Sequence, residues 1–204
     1  MSKRKKGRSI ASTAIKALRV ANQVKNLLNV EVKHHDDNDV FDVDDLGDLS
    51  PLMAVSQGSS GTTRDGDSLK LTGVSIRGKV AYNAALGGTQ RVRVILMRLP
   101  ASTVLTTNQI ILGTGTTYAV DAPQVWQNKQ YAKFLYDRTF NLYNESEVKS
   151  FHIKKKLGFH IKYAAGTVSP VTNDVRLLVI SDTPNAGANF PICQYWSRFT
   201  FVDN

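Results

Sequence analysis

Residues 149–163, KSFHIKKKLGFHIKY, alternate between apolar and polar side chains with a period of two. Phe151, Ile153, Leu157, Phe159, Ile161 and Tyr163 share one parity, and His152, Lys154, Lys156, His160 and Lys162 share the other. A helix would scatter these apolar groups around its axis, whereas a strand gathers them on one face. The stretch predicts a long antiparallel strand with one face buried and the other in water. Such a strand needs partners, and the chain supplies them. Leu69 and Leu71 alternate, and Val74, Ile76, Val80 and Tyr82 resume on the other parity, so a β-bulge is predicted at Thr72-Gly73. After a turn at Gly87-Gly88, Val92, Val94 and Leu96 oppose Arg91, Arg93 and Ile95. Residues 130–143, 174–181 and 195–202 read as further strands; the second is almost wholly apolar and follows a turn at Thr172-Asn173. Residues 100–128, broken by Pro100, Gly113, Gly115 and Pro123, read as a long excursion with one short helix or strand near 104–112.

No helical pattern separates the strands, which excludes parallel βαβ architecture. The fold class expected is all-β, an antiparallel sandwich or jelly roll in which every strand buries one face. At 204 residues and 42% hydrophobic content, one substantial core is expected. No apolar run approaches the ~18 residues of a membrane span, so no integral membrane association is expected. Cys193 is the chain's one cysteine, which excludes an intrachain disulfide and a cysteine-based zinc site.

Charge is distributed unevenly. Lys3, Arg4, Lys5, Lys6, Arg8, Lys16, Arg19, Lys25 and Lys33, set against Glu31 alone, give the first 33 residues +8 of the chain's +9. Ser2–Arg8 is too polar to bury anything and is expected to be disordered when free. From Ser9, a plausible N-cap, Ile10, Ala14, Ala17, Ala21, Val24 and Leu28 recur at helical spacing, with Val20 and Leu27 beside them. Ser12, Lys16, Arg19, Asn22, Gln23 and Asn26 fall opposite, which predicts an amphipathic helix over 9–29. Lys16 and Arg19 interrupt the apolar core that a secretory signal would need. Three readings suit this arm: binding to nucleic acid through phosphate neutralisation, a membrane-surface helix, or a solvated terminus with a localisation signal at Lys3–Lys6. The first accounts best for a cationic tail on an otherwise balanced body. Its candidate contact residues are Lys3, Arg4, Lys5, Lys6, Arg8, Lys16, Arg19 and Lys25.

Directly after the arm, residues 34–50 carry Asp36, Asp37, Asp39, Asp42, Asp44, Asp45 and Asp48 and no lysine or arginine. Composition favours a solvated linker, so the chain reads as an arm (1–33), an acidic linker (34–56) and a jelly-roll domain (57–204). Two other readings stay open for the acidic segment: screening of the arm, or carboxylates for a calcium site. It lacks the central glycine and terminal Glu of an EF-hand loop. His34 and His35 beside Asp36 and Asp37 are weak metal candidates. Trp126 and Trp196 read as core or interface anchors in preference to base-stacking platforms. The basic parity of 149–163 reads as a solvated face, with phosphate contacts as the alternative.

Gln57-Gly58, Arg64-Asp65-Gly66-Asp67 and the strand ending in Arg77-Gly78 together resemble the start of the jelly roll in coat proteins of the satellite tobacco necrosis virus type. The same pattern resembles capsid proteins of small circular single-stranded DNA viruses, as do Phe134–Leu142 and the ending from Arg198 to Asp203-Asn204. The resemblance implies an eight-stranded jelly roll assembling into an icosahedral shell, most simply of 60 subunits (T=1). Its arms would point inward onto a single-stranded genome, DNA favoured over RNA. Sixty arms of +8 would bring roughly 480 charges, enough for about half of a genome of about a thousand nucleotides. The resemblance further implies a structural calcium at subunit interfaces. Asp203 stands where the satellite coats place a ligand, and Asp65 and Asp67 are candidates to join it. No other cofactor is implied, and the setting would be the virion, assembled inside the host cell, the nucleus included. Two other classes were weighed. A cupin-like metal enzyme needs three convergent ligands, and His34, His35, His152 and His160 offer no His-x-His pair on a strand, so no enzymatic activity is expected. A cellular nucleic-acid-binding module with a basic tail would spread its basic residues over the folded surface.

Overall fold

The computed structural model describes residues 13–20, 31–86, 88–100, 105–116, 119–143, 147–185 and 189–203. The chain divides into two compact units, residues 1–31 and 32–204. In the first, residues 13–20 form a helix, α1, all of whose described side chains are exposed. It falls inside the helix expected over 9–29; the remainder of that span lies outside the described residues.

The second unit is an all-β sandwich. Its strands are β1 (Val32–Asp42), β2 (Asp48–Pro51), β3 (Ser68–Ala81), β4 (Gln90–Leu99), β5 (Lys133–Leu142), β6 (Val148–Tyr163), β7 (Pro170–Thr172), β8 (Asp174–Ser181) and β9 (Ile192–Asp203). They form two sheets, ordered β1-β9-β3-β6-β7 and β2-β8-β4-β5, with antiparallel neighbours throughout. The alternation of 149–163 is β6, where Phe151, Ile153, Ile161 and Tyr163 are buried and His152, Lys154, Lys156, His160 and Lys162 are exposed. A one-residue slip of this strand would turn the whole apolar set outward. At about 1.5–3 kcal/mol per buried Ile or Phe, that costs on the order of 10 kcal/mol, which fixes the register. The bulge expected at Thr72-Gly73 is present as a register shift between Leu71 and Gly73, where β3 pairs with both β6 and β9. Asn173, in the turn before β8, has φ +57, a conformation asparagine tolerates better than most residues.

One core lies between the sheets, with Leu71, Ile76, Phe151 and Phe199 from one and Val94, Leu96, Phe140 and Leu177 from the other. A second cluster lies on the far side of the four-stranded sheet. There Leu105, Ile110, Ile111 and Ala132 cover Ile95, Met97, Leu99 and Leu178. The excursion is therefore a cover, and β8 is apolar on both parities because both its faces are buried. A short helix, α2 (Thr107–Ile110), with a capping box between Thr106 and Gln109, falls where a short element was expected.

Residues 34–56, expected as an acidic linker, contain β1 and β2, and this corrects the linker reading. β1 pairs with β9 over eleven residues, from Val32↔Val202 to Asp42↔Ile192. Aspartates of β1 and of the turn after it are tied into the fold. Asp37 Oδ2 accepts from the Tyr195 hydroxyl at 3.0 Å, Asp44 Oδ1 accepts from the amides of Leu46 and Gly47, and Asp45 Oδ1 accepts from Asn185 N. Acidic composition suits β1 for another reason: it is a sheet edge, and charge on an edge strand resists pairing with another chain.

Two outcomes follow from the packing. A Cβ on Gly78 would stand 2.8 Å from the Gln194 carbonyl and run into the Phe151 ring. Gly78→Ala is expected to cost about 1–3 kcal/mol, read as a lower urea midpoint with an unchanged slope. Cys193 is buried in the main core, and burial, aided by Asp48 and Asp39, pushes its thiol up to about 12. It is expected to resist thiol reagents at pH 8 until denaturant unfolds the sandwich.

Candidate nucleic-acid interface

Of the arm residues expected to contact phosphates, Lys16 and Arg19 lie on α1, exposed and three residues apart, which makes them neighbours on the helix surface. Ile15, Leu18 and Val20 are exposed on the same helix. Lys3, Arg4, Lys5, Lys6, Arg8 and Lys25 lie outside the described residues. Lys33, counted with the arm by charge, belongs to the sandwich. It opens β1 on the inward parity, pairs with Phe201 of β9, and its side chain is 1% exposed.

Lys33 Nζ lies 2.8 Å from Asp65 Oδ1 and 2.8 Å from Asp203 Oδ2. Asp203 ends β9 beside Leu69 of β3, and Asp65 sits in the turn leading to β3. Burial opposes a charge on Lys33, but the hydrogen bonds and charges of Asp203 and Asp65 outweigh it, and the ammonium is held above the ordinary lysine value. Asp65 N also donates to Asp203 Oδ2, at 3.3 Å. Asp203 and Asp65, named for a calcium site, are thus brought together, but around the chain's own cation. Within one chain the donor set does not fit calcium, which takes six to eight oxygens; an ammonium stands between the carboxylates. Among the described residues no group of three acidic, histidine or cysteine side chains is placed to hold a metal.

Asp67, the third candidate, turns to Arg64. The Arg64 guanidinium is fully buried, 4.3 Å from the centre of the Tyr163 ring. It donates to the carbonyls of Val55 (3.3 Å), Thr167 (2.6 Å) and Gly66, and to Asp67 Oδ1 (3.3 Å). The backbone of Arg64 bonds to Ser56 and Gly58, 2.9–3.0 Å away. The Gln-Gly and Arg-x-Gly-Asp pieces of the sequence therefore form one lock at the start of β3, and its role here is structural. Burial chiefly raises the Tyr163 phenol far above its usual range, against the lowering pull of Arg64.

The histidines do not converge. His152 Nε2 is 3.2 Å from Ser75 Oγ on β3, and His34 Nδ1 is 3.3 Å from Thr200 Oγ1 on β9. Burial holds His35 below the ordinary histidine value, against Asp37 and Asp36. Trp126 and Trp196, expected as core or interface anchors, are not in the core: they are 77% and 55% exposed. No helix among the described residues is long and apolar enough to cross a membrane. In comparison with known proteins, no family model and no curated protein matches the chain.

The role of Lys33 escaped a reading by charge, which placed it with eight other basic residues. The available signal was parity, since Lys33 falls on the same side of a strand as Phe41 and Val43. Its part in the fold gives a pH-dependent outcome. Lys33→Met leaves two carboxylates facing each other without a cation and is expected to destabilise the sandwich at pH 7 by on the order of 3 kcal/mol. A raised lysine value means the stabilisation is complete below about 10.5 and lost as pH climbs through the higher folded value. The stability gap between wild type and variant, from urea melts at stepped pH, is expected to close only above that point.

Proposed function

We propose that this chain is the coat protein of a small virus. On this reading it is an eight-stranded jelly roll that self-assembles into an icosahedral shell, most simply T=1. It packages a single-stranded genome, DNA in preference to RNA, through its basic arm, and works in the virion after assembly in the host cell or its nucleus. The observation that carries the reading is the division of the chain after Glu31. Lys3, Arg4, Lys5, Lys6, Arg8, Lys16, Arg19 and Lys25 precede it, while Lys33 is spent on an internal ion pair of the sandwich. A cationic segment that precedes the sandwich and holds eight of the chain's 26 lysines and arginines is suited to a long polyphosphate.

Strand order supports the jelly-roll part. With the three-residue β7 set aside, the sheets read β1-β9-β3-β6 and β2-β8-β4-β5. First and last strands lie side by side, and the chain crosses repeatedly between sheets, as two interlocked Greek keys require. Two strands of that count, β1 and β2, come from the acidic segment. Closed symmetry would repeat each weak contact many times, so a modest subunit contact suffices for a shell.

The test compares full-length protein with a variant in which the eight arm lysines and arginines are replaced by glutamine. Wild type is expected to form uniform hollow particles by electron microscopy and to protect single-stranded nucleic acid from nuclease. The variant is expected to lose most of that cargo, and its binding-versus-salt slope to shallow by up to about 6 (eight contacts at about 0.7 each). An undiminished load in the variant, or small oligomers at every ionic strength, would count against the proposal. A truncation with the same purpose should end before Val32, because removing Lys33 takes away the cation between Asp65 and Asp203.

A further inference from the structure

The solvent-facing side of the five-stranded sheet carries a charge pattern of its own. On that side β3 presents Lys70, Arg77 and Lys79, and β6 presents Lys154, Lys156 and Lys162. These residues lie in register: Arg77 pairs with His152, Ser75 with Lys154, and Gly73 with Lys156. On the same face β9 adds Arg198 and Trp196. The acidic residues on this side, Asp36 and Asp42, sit on the edge strand β1, and Asp36 is already paired with Arg198 at 2.6 Å. Among the described residues, none of these cations of β3 and β6 forms an ion pair.

Trp196 stands at the β1 border of this field, beside Arg77. Across the sheet it is flanked by Asn38 of β1 on one side and Arg77 of β3 on the other. Its indole is more than half exposed, although large aromatic groups ordinarily gain from burial. Shallow grooves open on both sides of it. One, about 420 Å³, runs past Asp36, Asp37, Asn38, Ser75 and Arg198 and so carries acidic groups on its β1 side; the other, about 490 Å³, runs past Lys79, Ser150 and His152; Arg77 and Trp196 line both. Successive outward residues of a strand are about 6.8 Å apart, a spacing comparable to that of phosphates along an extended nucleic acid strand.

We propose that this sheet face is a second nucleic-acid site, in which Trp196 stacks on a base while Arg77, Lys79, Lys154 and Lys156 neutralise the flanking phosphates. A flat aromatic group set among cations recognises single strands, whose bases are free to stack, and is tolerant of sequence because every base has a π-face. A duplex hides its bases and offers phosphates alone. A polyanion without bases has nothing for the indole. In the shell proposed above, a face of this kind looks into the lumen, so the site fixes which side of the sandwich is the inner one. The site itself does not depend on the shell, because it is defined by binding to one chain.

The test uses full-length protein carrying Trp126→Phe, so that indole emission reports Trp196 alone. Titration with single-stranded oligothymidylate is expected to quench that emission, whereas heparin at an equal concentration of negative charge is not, and a blunt duplex only weakly. A parallel arm with oligouridylate sets DNA against RNA. Trp196→Ala, tested by anisotropy with a labelled oligonucleotide, is expected to weaken binding about five- to a hundredfold with an unchanged salt slope. Lys154→Gln with Lys156→Gln is expected to reduce the slope by about 1.4. All three side chains are exposed, and circular dichroism with a urea melt confirms that each variant keeps the fold. Repeating the quench in the arm-neutralised protein separates the two sites. Quenching that persists there supports the sheet site even if the arm reading fails. Emission unaltered while oligonucleotide binds, or quenched equally by heparin, overturns the proposal. So does emission that follows protein concentration in place of oligonucleotide, which marks a second copy of the chain as the occupant.

Discussion

An eleven-residue ladder joins β1 to β9 and thereby ties the beginning of the sandwich to its end. Without it, β9 would be an edge, and the five-stranded sheet would lose the strand that shields Cys193, Tyr195 and Phe201 from one side. The ladder is secured at its Lys33 end by an ion pair. The Lys33 ammonium is withdrawn from water and bonded to Asp65, before β3, and Asp203, the last residue of β9. A buried cation is tolerable only when carboxylates meet it in the folded state, so this corner forms when three distant parts of the chain arrive together. Arg64 repeats the principle nearby, with its guanidinium satisfied largely by backbone carbonyls and its plane against Tyr163.

Charge in this protein is sorted by use. Aspartates of β1 and the turn after it accept hydrogen bonds that hold that edge in place. Lys33 and Arg64 are consumed inside the fold. Arg91 and Arg93 pair with Asp121 and Asp137 across the four-stranded sheet and its cover. The basic arm precedes the sandwich in the chain, and among the described residues the lysines and arginine on the basic side of β3 and β6 form no ion pair. Both are suited to a partner that is long, flexible and anionic, and they differ in kind. The arm's attraction to phosphate rests on charge and falls steeply with salt. The sheet face adds a fixed indole, whose contribution salt does not screen. Together they suit the coat-protein reading, in which one segment gathers a strand and a rigid surface orders it.

The strands that carry a buried face were legible because burial leaves a period in the sequence. β3, β4, β6 and β8 lie close to where alternation or continuous apolarity placed them, and the bulge in β3 lies at the observed change of parity. β1 was illegible for the converse reason. An edge strand with one polar face, and with Lys33, His35 and Asp37 on its inner one, has almost no apolar period, and its aspartates have poor strand propensity. Its conformation is imposed by β9. Asp65 and Asp203 were singled out as a pair of carboxylates seeking a cation, and that chemistry holds; the identity of the cation was hidden 32 residues away in sequence from one partner and 170 from the other. Trp196 shows the same limit, since alternation places it opposite Tyr195 and Ser197 but says nothing of what covers an outward indole.

The chain by itself determined the fold class and the segregation of charge, because both depend on the local order of residue types: a period of two demands sheets, and a cluster of lysines remains a cluster in any fold. Only the tertiary structure decided that the acidic segment is a strand, that Lys33 is a buried counter-ion, and that Trp196 stands among cations. Each of these depends on which distant residues come within a few ångströms, and the free energy of a buried charge or an exposed ring is a property of that neighbourhood, absent until the sheets close.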